Sequence, residues 1–178
     1  MKSSIALIGF MGTGKTAVGK ALAERLGKEF IELDALIEKK ADKLIPEIFA
    51  QDGEIAFREL EIAATREVAG RKNVVVACGG GIVLNRINID RLKQECVIVY
   101  LTATPGVIWR RVSRGAGGRP LLDVDNPRLR IRELLRFRRP LYENAADIII
   151  DTSKLDVDSV AGEIINELSE IKDSSPSG

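Results

Sequence analysis

Eight residues near the start, Gly9-Phe10-Met11-Gly12-Thr13-Gly14-Lys15-Thr16, most narrow what this chain can fold into. They satisfy G-x-x-x-x-G-K-[ST] and lie between an apolar run at 4–8 and a helical pattern at 17–26, so strand, glycine loop and helix are expected in that order. In such a loop successive backbone N–H groups curl around phosphate oxygens. The helix beginning near Gly14 adds its positive end, and Lys15 brings a point charge to the outer phosphates. The Thr16 hydroxyl suits Mg²⁺. A plain turn between strand and helix is the alternative; the complete pattern in its required setting favours a nucleoside triphosphate.

Further short runs rich in Ile and Val follow at 30–33, 74–78, 97–101 and 147–150, and read as strands buried on both faces. Between them, 54–69 and 127–142 carry apolar residues every three or four positions and read as helices. This alternation predicts an α/β fold of three layers, a five-stranded parallel sheet flanked by helices, with ligands beyond the carboxyl ends of the strands. At 178 residues the chain suits one domain, placed at 1–172, with an insertion at about 34–61, a glycine-rich flap at about 112–124 and a polar tail at 173–178.

Several function classes drop out. A net charge of +1 gives no overall field for nucleic acid or an anionic membrane, and no apolar run approaches the ~18 residues of a membrane span. A cytoplasmic chain is expected. Cys78 and Cys96 form no CxxC pair and read as free buried thiols. With no histidine, acid–base work falls to carboxylates.

Transfer to a small molecule is favoured over other uses of the loop, because no Asn-Lys-x-Asp guanine signature occurs and the chain is short for a mechanical ATPase. Residues 110–139 hold ten arginines, no lysine and three acids, which suits an anionic ligand held in fixed geometry. Arg128, Arg130, Arg132 and Arg136 read as a solvated helix face, whereas Arg119, beside glycines and before Pro120, can swing over a transferring phosphoryl group. In Glu32-Leu33-Asp34 the alternation of a strand sends both carboxylates to one side, one for metal and one for substrate; an N-cap role for Asp34 is the alternative. By spacing alone Arg58 and Glu61 read as an exposed ion pair, and Gly79-Gly80-Gly81 as either a turn or a place of close backbone approach.

Taken together, Gly9 to Thr16, Asp34, Asp52-Gly53-Glu54 leading to Phe57-Arg58 and Glu61, the triple glycine, Arg119-Pro120-Leu121-Leu122 and Arg138-Arg139-Pro140-Leu141-Tyr142 resemble the shikimate kinase family. The resemblance implies a P-loop kinase fold and transfer from ATP, with Mg²⁺, to the 3-hydroxyl of shikimate, within aromatic amino-acid biosynthesis, by a monomer. It implies that Gly12, Thr13, Gly14, Lys15, Thr16 and Ala17 bind nucleotide together with Arg110, or its neighbour Arg111, which would pack on adenine, and Arg119 of the lid. Asp34, Arg58, Glu61, Gly79, Gly80, Gly81 and Arg138 would bind shikimate, with Lys15, Asp34 and Arg119 catalytic. Thr16, and Glu32 through water, would serve the metal; the family usually carries Asp where Glu32 stands. Gluconate kinase is the nearest other kinase, and a nucleotide-binding regulatory module is the alternative outside enzymes.

Overall fold

The computed structural model describes residues 2–115 and 120–173. Five strands, β1 (Ser4–Ile8), β2 (Glu29–Glu32), β3 (Val74–Ala77), β4 (Cys96–Thr102) and β5 (Ile148–Asp151), form one parallel sheet in the order β2-β3-β1-β4-β5. The helices are α1 (Lys15–Leu26), α2 (Leu33–Ala41), α3 (Ile45–Gln51), α4 (Gly53–Ala69), α5 (Arg86–Glu95), α6 (Pro105–Arg114), α7 (Pro127–Ala145) and α8 (Val157–Asp173). Helix α8 runs through Asp173, where the polar tail was expected to begin; 174–178 lie outside the described residues.

One buried cluster joins Ile8, Val76, Ile98 and Tyr100 to residues of α4, α5 and α7, and a second joins Leu7, Val75 and Val99 to α1 and α8 on the opposite face. The three layers follow from this two-sided burial. Strands β1 and β3 are buried throughout, as runs of Ile and Val dictate. The edge strands differ from expectation: in β5 burial alternates and Ile149 is 53% exposed, because a lateral strand lacks cover on one face.

Local signals set the helix starts that border the site. Thr104 caps α6 by accepting from the Val107 N–H, with Pro105 in the first turn. Asn126 caps α7 by accepting from the Leu129 N–H at 3.1 Å. Helix α7 continues past Pro140 to Ala145, three residues beyond the predicted end.

Candidate active site

The loop between β1 and α1 turns through three glycines at positive φ: Gly9 at 148°, Gly12 at 77° and Gly14 at 95°. Side chains rarely adopt these angles, which explains the spacing of glycine in the motif. Gly14 caps α1 without any side-chain bond, and no acid stands in the first turn, so the N-terminal N–H groups are left to face an external anion. Lys15 Nζ donates to the carbonyls of Gly9 at 2.8 Å and Phe10 at 2.9 Å, and buried Thr13 donates its hydroxyl to the Phe10 carbonyl at 2.8 Å. Thr16 and Ala17 are exposed in the first turn of α1.

Beside this loop, the Thr16 hydroxyl donates to Glu32 Oε2 at 2.6 Å. Burial raises the Glu32 carboxyl above its ordinary range, the Thr16 bond opposes the rise, and Asp34 adds to it. The chain enters α2 at Leu33, so Glu32 and Asp34 are a strand end and a first-turn helix residue, not alternate positions of one strand as expected. Nor does Asp34 cap the helix: Glu32 occupies that position. Glu32 nonetheless senses the Asp34 charge, and both carboxyls sense Lys15.

A hydroxyl and a single carboxylate fit a hard cation that retains several waters, which is how Mg²⁺ binds with phosphates. Among the described residues no group of three or more Asp, Glu, His or Cys could hold a metal, so further ligands for Mg²⁺ at Thr16 and Glu32 would have to be phosphate and water.

The triple glycine leaves β3 and brings the remaining side chains together. A Cβ on Gly79 would lie 2.7 Å from Asp34 Oδ1 and 3.5 Å from Glu61 Oε2. One on Gly80 would lie 3.8 Å from Arg138 Nη1, and one on Gly81 would strike the Arg58 guanidinium, 2.6 Å from Nη2 and 2.8 Å from Cζ. Four carboxylate or guanidinium groups, from α2, α4 and α7, therefore border three consecutive residues. Gly80 and Gly81 form a turn, and it is one that side chains of this chain approach closely.

Arg58 and Glu61 are not the exposed pair that their spacing suggested. Arg58 Nη1 meets Glu61 Oε1 at 2.9 Å with side-chain exposures of 14% and 1%, because this face of α4 turns inward to the sheet edge. Glu54 also approaches Arg58, at 3.4 Å from its exposed end. Burial raises the Glu61 carboxyl, and the charge and hydrogen bond of Arg58 oppose it. Asp34 is raised for the same reason, opposed chiefly by Lys15. Arg138 is buried on α7, with its guanidinium 6.0 Å from the Phe10 ring.

Asp34 Oδ1, Arg58 Nε, Glu61 Oε2 and Arg138 Nε are buried polar atoms with no hydrogen-bond partner among the described residues. Buried polar groups are normally paired, so four orphans around one turn mark a place where a polar ligand completes the bonding.

Against this geometry, the family model for shikimate kinase matches residues 11–169. The chain belongs to the shikimate kinase family. A shikimate kinase of Thermodesulfovibrio yellowstonii is 48% identical over 92% of this chain and 94% of its own, and one of Pelotomaculum thermopropionicum is 47% identical over 94% and 96%. The solved shikimate kinase of Acinetobacter baumannii in complex with shikimate superposes with a TM-score of 0.92 at 39% identity, covering 97% of this chain and 96% of that one. A gluconokinase from Sinorhizobium meliloti, at 22% identity and TM-score 0.64, shares the fold.

Within the shikimate kinase scaffold, Lys15, Thr16, Glu32, Asp34, Arg58, Glu61, Arg138 and the triple glycine lie along the carboxyl edge of the sheet. Arg110 is exposed on α6, while its neighbour Arg111 is turned beneath the phosphate loop. Arg119, with 116–118 of the expected lid, lies outside the described residues. Arg128, Arg132 and Arg136 are exposed, the solvated face foreseen for them, whereas Arg130, expected on the same face, is half-buried beside Glu133. Tyr142, which donates to the Gly80 carbonyl, and Thr152, neither given a role by the sequence, also touch the site, as does Arg111, the alternative to Arg110. Tyr142 lies one turn after Arg138 on α7, and that i, i+4 spacing was the available signal. Thr152 offered none. Among the described residues no helix is long and apolar enough to cross a membrane.

Proposed function

We propose that this chain transfers the terminal phosphoryl group of ATP to the 3-hydroxyl of shikimate, giving shikimate 3-phosphate and ADP. The observation that carries the acceptor is the approach of two largely buried arginines, Arg58 and Arg138, to adjacent glycines of one turn beside a buried carboxylate and the phosphate loop. Guanidinium groups hold a planar carboxylate through paired hydrogen bonds, which suits a ring acid with one negative charge.

In this reading the Thr13, Gly14, Lys15 and Thr16 backbone and the Lys15 ammonium hold the nucleotide phosphates. Arg110 contributes at the base. Glu61 orients Arg58, Arg138 completes the grip, and Asp34 orients the acceptor hydroxyl. As the hydroxyl oxygen bonds to the γ-phosphorus, the bond from that phosphorus to the bridging oxygen of ADP breaks and Asp34 takes the hydroxyl proton. Its burial-raised carboxyl makes it a better base than a solvated aspartate. Thr16 and Glu32 would hold Mg²⁺ directly and through water, and the ion would neutralise phosphate charge.

An ADP-release assay with shikimate, gluconate and other hydroxylated acids tests the acceptor. Turnover above background with shikimate alone is expected; turnover with gluconate but not shikimate would overturn the assignment.

A further inference from the structure

The back of the phosphate loop is held by hydrogen bonds that none of the roles above uses. Thr152 follows β5 directly and is 2% exposed. Its hydroxyl accepts from Arg111 Nη1 at 3.0 Å and faces two carbonyl oxygens, those of Thr13 at 3.0 Å and Thr102 at 3.1 Å, between which its one proton is shared. Arg111, on α6, donates Nη1 also to the Gly12 carbonyl at 3.2 Å and Nη2 to the Thr152 carbonyl at 2.7 Å. Two consecutive loop carbonyls, Gly12 and Thr13, are thereby tied to elements more than ninety residues away in sequence.

The planarity of the peptide gives this tie a direction. In a trans peptide the C=O and N–H point oppositely, so fixing the Gly12 and Thr13 carbonyls toward Arg111 and Thr152 turns the N–H groups of Thr13 and Gly14 to the other side. Gly12 and Gly14, both at positive φ, supply little torsional resistance of their own. The ties from Arg111 and Thr152 add, from outside the loop, to the orientation that the Thr13 and Lys15 bonds give within it.

We propose that Thr152, acting with Arg111, is a positioning residue for the nucleotide: it holds the Thr13 and Gly14 amides in the orientation that receives phosphate oxygens. This rests on the ATP-binding reading of the loop given above. Thr152 touches no substrate in this scheme and acts only through the loop backbone.

Thr152→Val preserves shape and removes the hydroxyl, whereas Thr152→Ser keeps it. Calorimetric titration of the full chain with tripolyphosphate, with ATP and Mg²⁺, and separately with shikimate reads the effect. The Val variant is expected to bind tripolyphosphate and ATP about tenfold more weakly, and the Ser variant within about twofold of the parent. Shikimate affinity should hold in both, and the loss should fall on KM for ATP more than on kcat. Should the Val variant not fold, Arg111→Lys, which cannot span both the Gly12 and Thr152 carbonyls, is expected to weaken tripolyphosphate in the same direction. Parental tripolyphosphate affinity in the variant that folds, or an equal loss of shikimate affinity, would overturn the proposal alone. A parent chain that binds neither ATP nor tripolyphosphate would remove the nucleotide reading and the proposal with it.

Discussion

The two halves of the site differ in how far their polar groups are satisfied by the chain itself. Around the phosphate loop, Lys15, Thr13 and Thr16 have protein partners, and the loop carbonyls are braced from behind. Around the triple glycine, four buried polar atoms of Asp34, Arg58, Glu61 and Arg138 have none among the described residues. One half is a braced frame of backbone. The other is a cluster of buried charge with incomplete pairing, and burial without full pairing is unfavourable by about 1–3 kcal/mol for each group. Changes in the second half should therefore trade binding against stability, whereas changes in the first should not.

Asp34→Asn gives the largest expected break in this contrast. Loss of the base should lower kcat by about 10²–10⁴-fold, while shikimate still binds and the fold gains stability at neutral pH because a buried charge is removed. Steady-state kinetics beside thermal denaturation check both parts, and undiminished turnover would remove Asp34 from the chemistry.

Arg58→Ala comes next. It strips the partner from Glu61, whose side chain is 1% exposed, so a loss of about 3 kcal/mol in stability is expected. Shikimate affinity should fall by about 100-fold with ATP affinity nearly unchanged. Adding Glu61→Gln should restore stability without restoring affinity. Equal weakening of both ligands would place Arg58 outside the acceptor half.

Gly81→Ala sharpens the comparison with a smaller change. The φ of −92° at this position is ordinary, so the methyl group strains nothing in the backbone, and the atoms nearest to it are those of the Arg58 guanidinium. A flexible side chain can move aside. Melting temperature should shift little while KM for shikimate rises about tenfold, the consequence of one displaced charge-assisted contact.

The smallest effect is on pH. Burial raises the carboxyls of Asp34, Glu32 and Glu61, so in the window above their ordinary values the folded chain binds more protons than the unfolded one. Their contribution to stability is thus fully present below the ordinary carboxylate range and is lost as pH climbs through the raised values. Exposed carboxyls such as Asp151 and Asp156 are lowered and act in the opposite sense, so the difference between parent and Asp34→Asn isolates the site. Denaturant midpoints from pH 4 to 8 should converge at the acid end and separate in favour of the variant toward pH 8. The reverse trend would contradict a raised Asp34.

The same contrast explains what could be read from the residues in advance. The phosphate loop is local: strand, glycines and helix start occupy one short stretch, and the spacing of the glycines reports the positive φ angles directly. The parallel sheet was equally legible, because Ile- and Val-rich runs separated by helical periods admit few other arrangements. The acceptor half was not. Arg58 and Glu61 at i, i+3 look like a surface pair until the tertiary fold turns that face of α4 inward, and nothing in the spacing of Arg138 announces the Gly80 that it approaches. The bend at Leu33 also escaped, since a strand and a first helical turn can each carry Glu32 and Asp34. Residue pattern reports local geometry well; convergence from three helices had to come from likeness to a family or from the structure.

Binding of shikimate compared with its methyl ester, measured by calorimetry on the nucleotide-free chain, tests most directly whether Arg58 and Arg138 grip a carboxylate. Neutralising that one group should weaken binding by about 100-fold or more. Equal affinity for acid and ester would contradict the clamp and with it the assigned acceptor.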